Sequence, residues 1–362
     1  KPKKITEKGG QLLLCHSMYI VISKEISDNG IYAAKRLQEA IRQETGLLLR
    51  LSVGETRDGD FSLRITETLS EQAYEITINE NGVQILGGDG AGVLYGVETF
   101  CQILQQYGGA LPCMQIMDAP DMPNRGYYFD QTRGRILKLE ELKKIADRMS
   151  LYKLNQLQLY VEHTYLFRDF SEMWRDQTPI TAEEIRELDS YCRERHIELV
   201  PSLASFGHLC TLLSTKTYGD LCEMEDSWKE PFSFWNRMRY HTINVSDGRS
   251  LPLIKKMIAE YMQLFSSDKF NICADETFCL GKYKSKELAK ECGIHRLYID
   301  YVKELAQFLV ENGKIPMFWG DIIWNSPELM KELPETMVCL NWGYAPEQRE
   351  DETRAIAQTG AM

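Results

Sequence analysis

Apolar and polar positions alternate in two different ways along this chain, and the change falls near residue 118. Upstream, short apolar runs at 18–23 (MYIVIS) and 61–66 (FSLRIT) read as strands. The stretch 74–87 (YEITINENGVQILG) predicts a hairpin turning at Asn81-Gly82. Between them, 29–46 sets Ile31, Ala34, Leu37 and Ile41 at helical spacing and stops at Gly46. Residues 1–118 therefore predict a small α/β accessory domain, and the two prolines of MDAPDMPNRG (117–126) mark its end.

Over 119–362 strand and helix patterns alternate, the signature of a parallel sheet. Strands are expected at 125–130, 156–161, 197–204, 270–276, 315–321 and 336–344. The helix expected at 181–196 opens on a capping box, Thr181 with Glu184. This alternation predicts an α/β fold of the (β/α)8 TIM-barrel type, which closes with eight strands. Six strands are visible, so two more are expected either concealed in loops or beyond Met362.

The chain's 362 residues and 43% apolar content supply a sizeable core. A net charge of −11 argues against nucleic acid, whose phosphates demand a basic footprint. No apolar run approaches the ~18 residues of a membrane span. The opening KPKKITEKGG leads into no signal-peptide core, so a cytoplasmic location is the expectation, although no initiator Met stands at position 1. Ten cysteines without a C-x-x-C pair read as small buried hydrophobes in a reducing compartment. Cys273 and Cys279 match no zinc spacing, and no metal or cofactor is expected. The glycine loop 87–92 (GGDGAG) lacks the G-x-G-x-x-G spacing and reads as a tight strand-to-helix turn.

In a barrel of this kind the strands' C-terminal ends share one mouth, where polar residues carry function. Arg125 lies on the first strand; Glu162 and His163 follow the second, and His208 the third. Asp275 and Glu276 end the fourth, Trp319 and Asp321 the fifth, Trp342 and Tyr344 the sixth. Each has a bland alternative: a solvated acidic pair, a structural histidine, a core tryptophan. Their recurrence at successive strand ends favours a sugar site, where aromatic faces stack on the ring and charged groups take its hydroxyls.

The ordered motifs FNICADETF, RGYYFD, KLNQLQLYV, SLASFGH, MFWGD and CLNWGY resemble those of glycoside hydrolase family 20, the β-N-acetylhexosaminidases. The small N-terminal domain is similar to that family's accessory domain, so the resemblance spans nearly the whole chain. It implies a retaining exo-hydrolase acting on a glycan with a terminal β-linked N-acetylhexosamine through substrate assistance. Glu276 would be the acid and base, and Asp275 would orient the acetamido N–H. Arg125 would grip sugar hydroxyls, and Trp319 and Trp342 would wall the acetamido methyl. His208 would join a polar network with Glu162 or His163, with Asp321 and Tyr344 at the rim. Cys273 stands where the family usually has glycine, and the strand-two ending YVEHTY departs from the usual paired aspartates. Those departures leave a catalytically silent glycan-binding barrel as the alternative.

Overall fold

The computed structural model describes residues 1–26, 29–231, 233–347 and 350–360. The chain forms two compact units: Lys1–Tyr127 with Glu140–Gln156 and Ser190–Glu198, and Tyr128–Leu139 with Leu157–Asp189 and Leu199–Met362.

The first unit holds a seven-stranded sheet of β1 (Lys4–Leu13), β2 (Tyr19–Ile22), β3 (Arg50–Val53), β4 (Phe61–Ile65), β5 (Tyr74–Asn79), β6 (Gly82–Gly87) and β7 (Ala110–Asp118). Their order is β1-β7-β5-β6-β4-β2-β3. The expected hairpin is present, β5 pairing antiparallel with β6 from Tyr74↔Gly87 to Asn79↔Gly82. Helices Asn29–Thr45 and Gly90–Tyr107 pack on this sheet, burying Ile20, Leu37, Phe61, Ile85 and Phe100. Strands β1, β3 and β7 were not legible in the pattern. β1 is exposed at all but one position, so no period-2 alternation marks it.

The glycine loop is the tight turn its sequence suggested. Asp89 caps the helix Gly90–Tyr107, its side chain accepting the Gly92 N–H at 2.7 Å. A Cβ on Gly92 would lie 2.2 Å from the Ala73 carbonyl oxygen, so only glycine lets helix and sheet approach this closely.

A second sheet, ordered β13-β12-β11-β10-β9-β8, is the incomplete barrel. Its strands are β8 (Gly126–Asp130), β9 (Gln156–Val161), β10 (Glu198–Leu203), β11 (Lys269–Asn271), β12 (Ile315–Trp319) and β13 (Val338–Leu340). β10 through β13 pair parallel, with registers such as Ser202↔Asn271 and Asn271↔Met317. β9 is buried along its whole length, as a strand covered on both faces must be. The capping box forms as read: Thr181 N–H donates to Glu184 at 2.9 Å and Glu184 N–H to Thr181 at 3.2 Å, opening the helix Ala182–Glu194. Among the described residues, no helix is long and apolar enough to cross a membrane.

Candidate active site

The fourth strand stops at Asn271, well short of the acidic pair. Beyond it the backbone leaves extended geometry: Cys273, Ala274 and Glu276 have φ of +59°, +64° and +49°. Left-handed backbone at residues other than glycine costs about 1–3 kcal/mol each and persists only where surroundings impose it. Here they do. Cys273 N–H donates to Asn271 Oδ1 at 2.8 Å, Trp319 N–H to the Cys273 carbonyl at 2.9 Å, and Tyr298 O–H to the Ala274 carbonyl at 3.0 Å. Gly207 presses on the same segment, since a Cβ there would lie 2.5 Å from the Asp275 carbonyl oxygen.

This twist explains how neighbours in sequence serve one site. Consecutive side chains on a strand point to opposite faces, yet Asp275 and Glu276 both line one cavity of about 200 Å³. At ~30 Å³ per water that is the space of about six or seven waters, on the scale of one sugar ring. The other walls are Tyr128, Arg133, Tyr160, Met238, Trp319, Trp342 and Tyr344. Tyr128 meets Trp319 edge-on at 5.1 Å between ring centroids, and Trp342 meets Tyr344 at 5.3 Å. Tyr344 is 94% exposed, a rim residue as expected. Cys273 is buried beside Ser202 (3.3 Å), and burial raises its thiol pKa well above the usual range.

His208 joins the two carboxylates. Its Nε2 lies 3.3 Å from Asp275 Oδ2 and 3.2 Å from Glu276 Oε2, close enough for strong electrostatic coupling although the angles fall short of good hydrogen bonds. Burial opposes a charge on this ring, but Asp275 and then Glu276 outweigh it and raise the pKa to about 9. The imidazolium therefore contributes stability fully below the unfolded value of 6.5 and loses it as pH rises through about 9. The partners proposed for it on sequence grounds, Glu162 and His163, lie elsewhere.

Glu162 is 3% exposed and its carboxylate is spent on two arginines. Oε1 accepts from Arg133 Nε and Tyr160 O–H, and Oε2 from Arg237 Nη2, all at 3.0 Å. It holds a cation in place and does not face the sugar space. His163 lines a different cavity of about 260 Å³ with Thr132, Cys210 and Arg237. Burial there lowers its pKa to about 4, leaving the ring neutral at neutral pH.

Arg125 does not reach the cavity. It precedes β8, and its guanidinium is taken up by the Lys153, Met122 and Pro123 carbonyls, Gln72 and the Tyr95 hydroxyl at 2.7–3.1 Å. The arginine that does is Arg133. After β8, Asp130 Oδ1 accepts the N–H groups of Thr132 (2.8 Å) and Arg133 (2.9 Å), a local turn that aims the arginine. Burial opposes the Arg133 charge, but Tyr160, Glu162 and Asp130 secure it. An Asp closing a strand with Arg three residues later was the available signal. Tyr128 and Tyr160 were also missed, both lying within strands and not among the residues at their ends.

Asp321 is likewise absent from the cavity wall. It lies beneath the acidic pair, Oδ2 accepting the Glu276 N–H at 3.0 Å.

The family models "Glycosyl hydrolase family 20, domain 2" and "Glycosyl hydrolase family 20, catalytic domain" match residues 1–119 and 123–361. A Porphyromonas gingivalis β-hexosaminidase is 23% identical over 327 residues, covering 80% of this chain and 41% of that protein. One from Akkermansia muciniphila is 30% identical over 189 residues, 46% of this chain and 36% of that protein. The chain thus spans well under half the length of these relatives. Among solved structures, Flavobacterium johnsoniae chitobiase superposes with a TM-score of 0.84 at 19% identity, covering 99% of this chain and 57% of that one. A Vibrio harveyi exo-β-N-acetylglucosaminidase in complex with N-acetylglucosamine gives 0.80 at 20% identity, covering 100% and 59%. Matched from its accessory domain through its barrel, with an acidic pair at the mouth, the chain belongs to glycosyl hydrolase family 20.

Proposed function

We propose that this chain is a retaining exo-β-N-acetylhexosaminidase that hydrolyses terminal β-linked N-acetylhexosamine with the help of the substrate's own acetamido group. The observation that carries this reading is the convergence of Asp275 and Glu276 on one aromatic-walled cavity of single-ring size. The acetamido oxygen attacks the anomeric carbon and closes an oxazolinium ring while Glu276 protonates the departing glycosidic oxygen. The same carboxylate then takes a proton from the water that reopens the ring at the anomeric carbon, so the configuration is retained. Asp275 accepts the acetamido N–H and balances the positive ring; fixed charge aimed at developing charge is the larger part of such catalysis. Arg133 supplies charged donors to the sugar's hydroxyls, and Trp319 and Trp342 offer apolar faces to the ring and methyl. A Vibrio harveyi relative solved with N-acetylglucosamine supports the choice of sugar class.

General acid catalysis contributes about 10²–10⁴-fold. Glu276→Gln is therefore expected to lower kcat on an aryl β-N-acetylglucosaminide about 10³-fold while product binding persists. Turnover within twofold of the parent would remove Glu276 from the reaction.

A further inference from the structure

We infer that Asp321 is a positioning residue that clamps the backbone of Glu276, so that its carboxylate sets the placement of the proton donor without touching substrate. Asp321 follows β12 by two residues, and Oδ2 accepts the Glu276 N–H at 3.0 Å. That amide belongs to the left-handed segment that brings Asp275 and Glu276 to one cavity. The other holds on this segment, from Asn271, Trp319 and Tyr298, act on Cys273 and Ala274; the Asp321 bond acts on the donor residue itself.

The Asp321 side chain is partly buried. Its Oδ1 is buried without a hydrogen-bond partner, and so is the indole Nε1 of Trp342. The ionisable groups that bear on it are Asp275 on the same segment, Tyr298 on the helix Ile294–Glu311, and Cys339 on β13. Burial first, and then Asp275, raise the carboxyl pKa to about 7; the Glu276 N–H and the Trp342 indole work against that rise. A charged acceptor makes a hydrogen bond roughly twice as strong as a neutral one. The clamp is therefore tight when Asp321 is ionised and looser once it is protonated, which places a titration near neutrality in the donor's own backbone. This inference rests on Glu276 being the donor.

Three forms of the whole chain test it: parent, Asp321→Ala and Asp321→Asn, the last keeping an acceptor oxygen without a charge. On an aryl β-N-acetylglucosaminide, Asp321→Ala is expected to lose about 100-fold in kcat with KM within threefold. Asp321→Asn should recover only part of the loss, to the level of the protonated parent, and lack the fall in kcat expected of the parent below about pH 7. In parallel, the Glu276 amide shift in ¹⁵N-labelled protein should titrate near pH 7 in the parent and stay flat in Asp321→Asn. Should the alanine variant fail to fold, the asparagine variant and the amide titration decide alone. Three results would each overturn the inference: unchanged kcat in Asp321→Ala, loss seen in KM instead of kcat, or an amide titration that survives in Asp321→Asn. A parent that leaves the glycoside intact overturns the hydrolase reading, and with it the role of Asp321 in placing a donor; the amide titration shows separately whether the clamp exists.

Discussion

At Arg133 and Arg125 the same side chain does two unrelated jobs eight positions apart. Arg133 enters the sugar space on a turn built by Asp130 and is braced by Glu162 and Tyr160. Arg125 ties the start of β8 to neighbouring carbonyls and Tyr95. Replacing Arg133 with alanine should raise KM for an aryl β-N-acetylglucosaminide at least about 10-fold, in line with the ~1.5–3 kcal/mol of a hydrogen bond to a charged group. Arg125→Ala should leave KM within twofold and lower the melting temperature. The reverse pattern, read from steady-state kinetics and thermal unfolding of both variants, would return the sugar contact to Arg125. Sequence offered a single cue, the Asp130 that closes the strand three residues before Arg133, because both arginines flank one strand and only the Asx turn after Asp130 tells them apart. The acidic pair was legible, because an apolar run that ends in adjacent carboxylates demands a reason. Its geometry was not, since Cys273, Ala274 and Glu276 carry no preference for positive φ.

Among the elements, strand four explains most about the site by being short. Read as 270–276, it would have sent Asp275 and Glu276 to opposite faces; β11 ends at Asn271 instead, and the irregular segment beyond it turns both inward. Gly207, in the loop after β10, keeps that segment in place by close approach to the Asp275 carbonyl. Gly207→Ala should push the segment off its position, costing about 1–3 kcal/mol of stability as overpacking does and lowering kcat at least tenfold. Thermal unfolding and kinetics on the purified variant would measure both, and a variant matching its parent in each would show that the segment does not depend on this contact. Long amphipathic elements, such as the helix Ala182–Glu194 with its capping box, were read close to their true bounds because periodicity and caps are local signals. Edge strands such as β1 were missed because exposure on both faces erases the alternation that reveals a strand.

Across the whole molecule, an acidic chain of net charge −11 carries an arginine, a histidine and two carboxylates at one mouth, where their charges are coupled. His208, with its pKa raised to about 9, places a cation between Asp275 and Glu276 through the neutral range. The two carboxylates suit a reaction whose transition state carries positive charge on the substrate. A catalyst binds a likeness of its transition state more tightly than its product, typically by 10²-fold or more; a binding module has no reason to. The most direct measurement is the affinity of the full chain for an N-acetylglucosamine thiazoline, a stable likeness of the oxazolinium ring, set against N-acetylglucosamine in the same titration. The thiazoline is expected to bind at least about 100-fold more tightly, with the advantage lost in Asp275→Ala. Equal affinities for the two ligands would contradict substrate-assisted hydrolysis at this site.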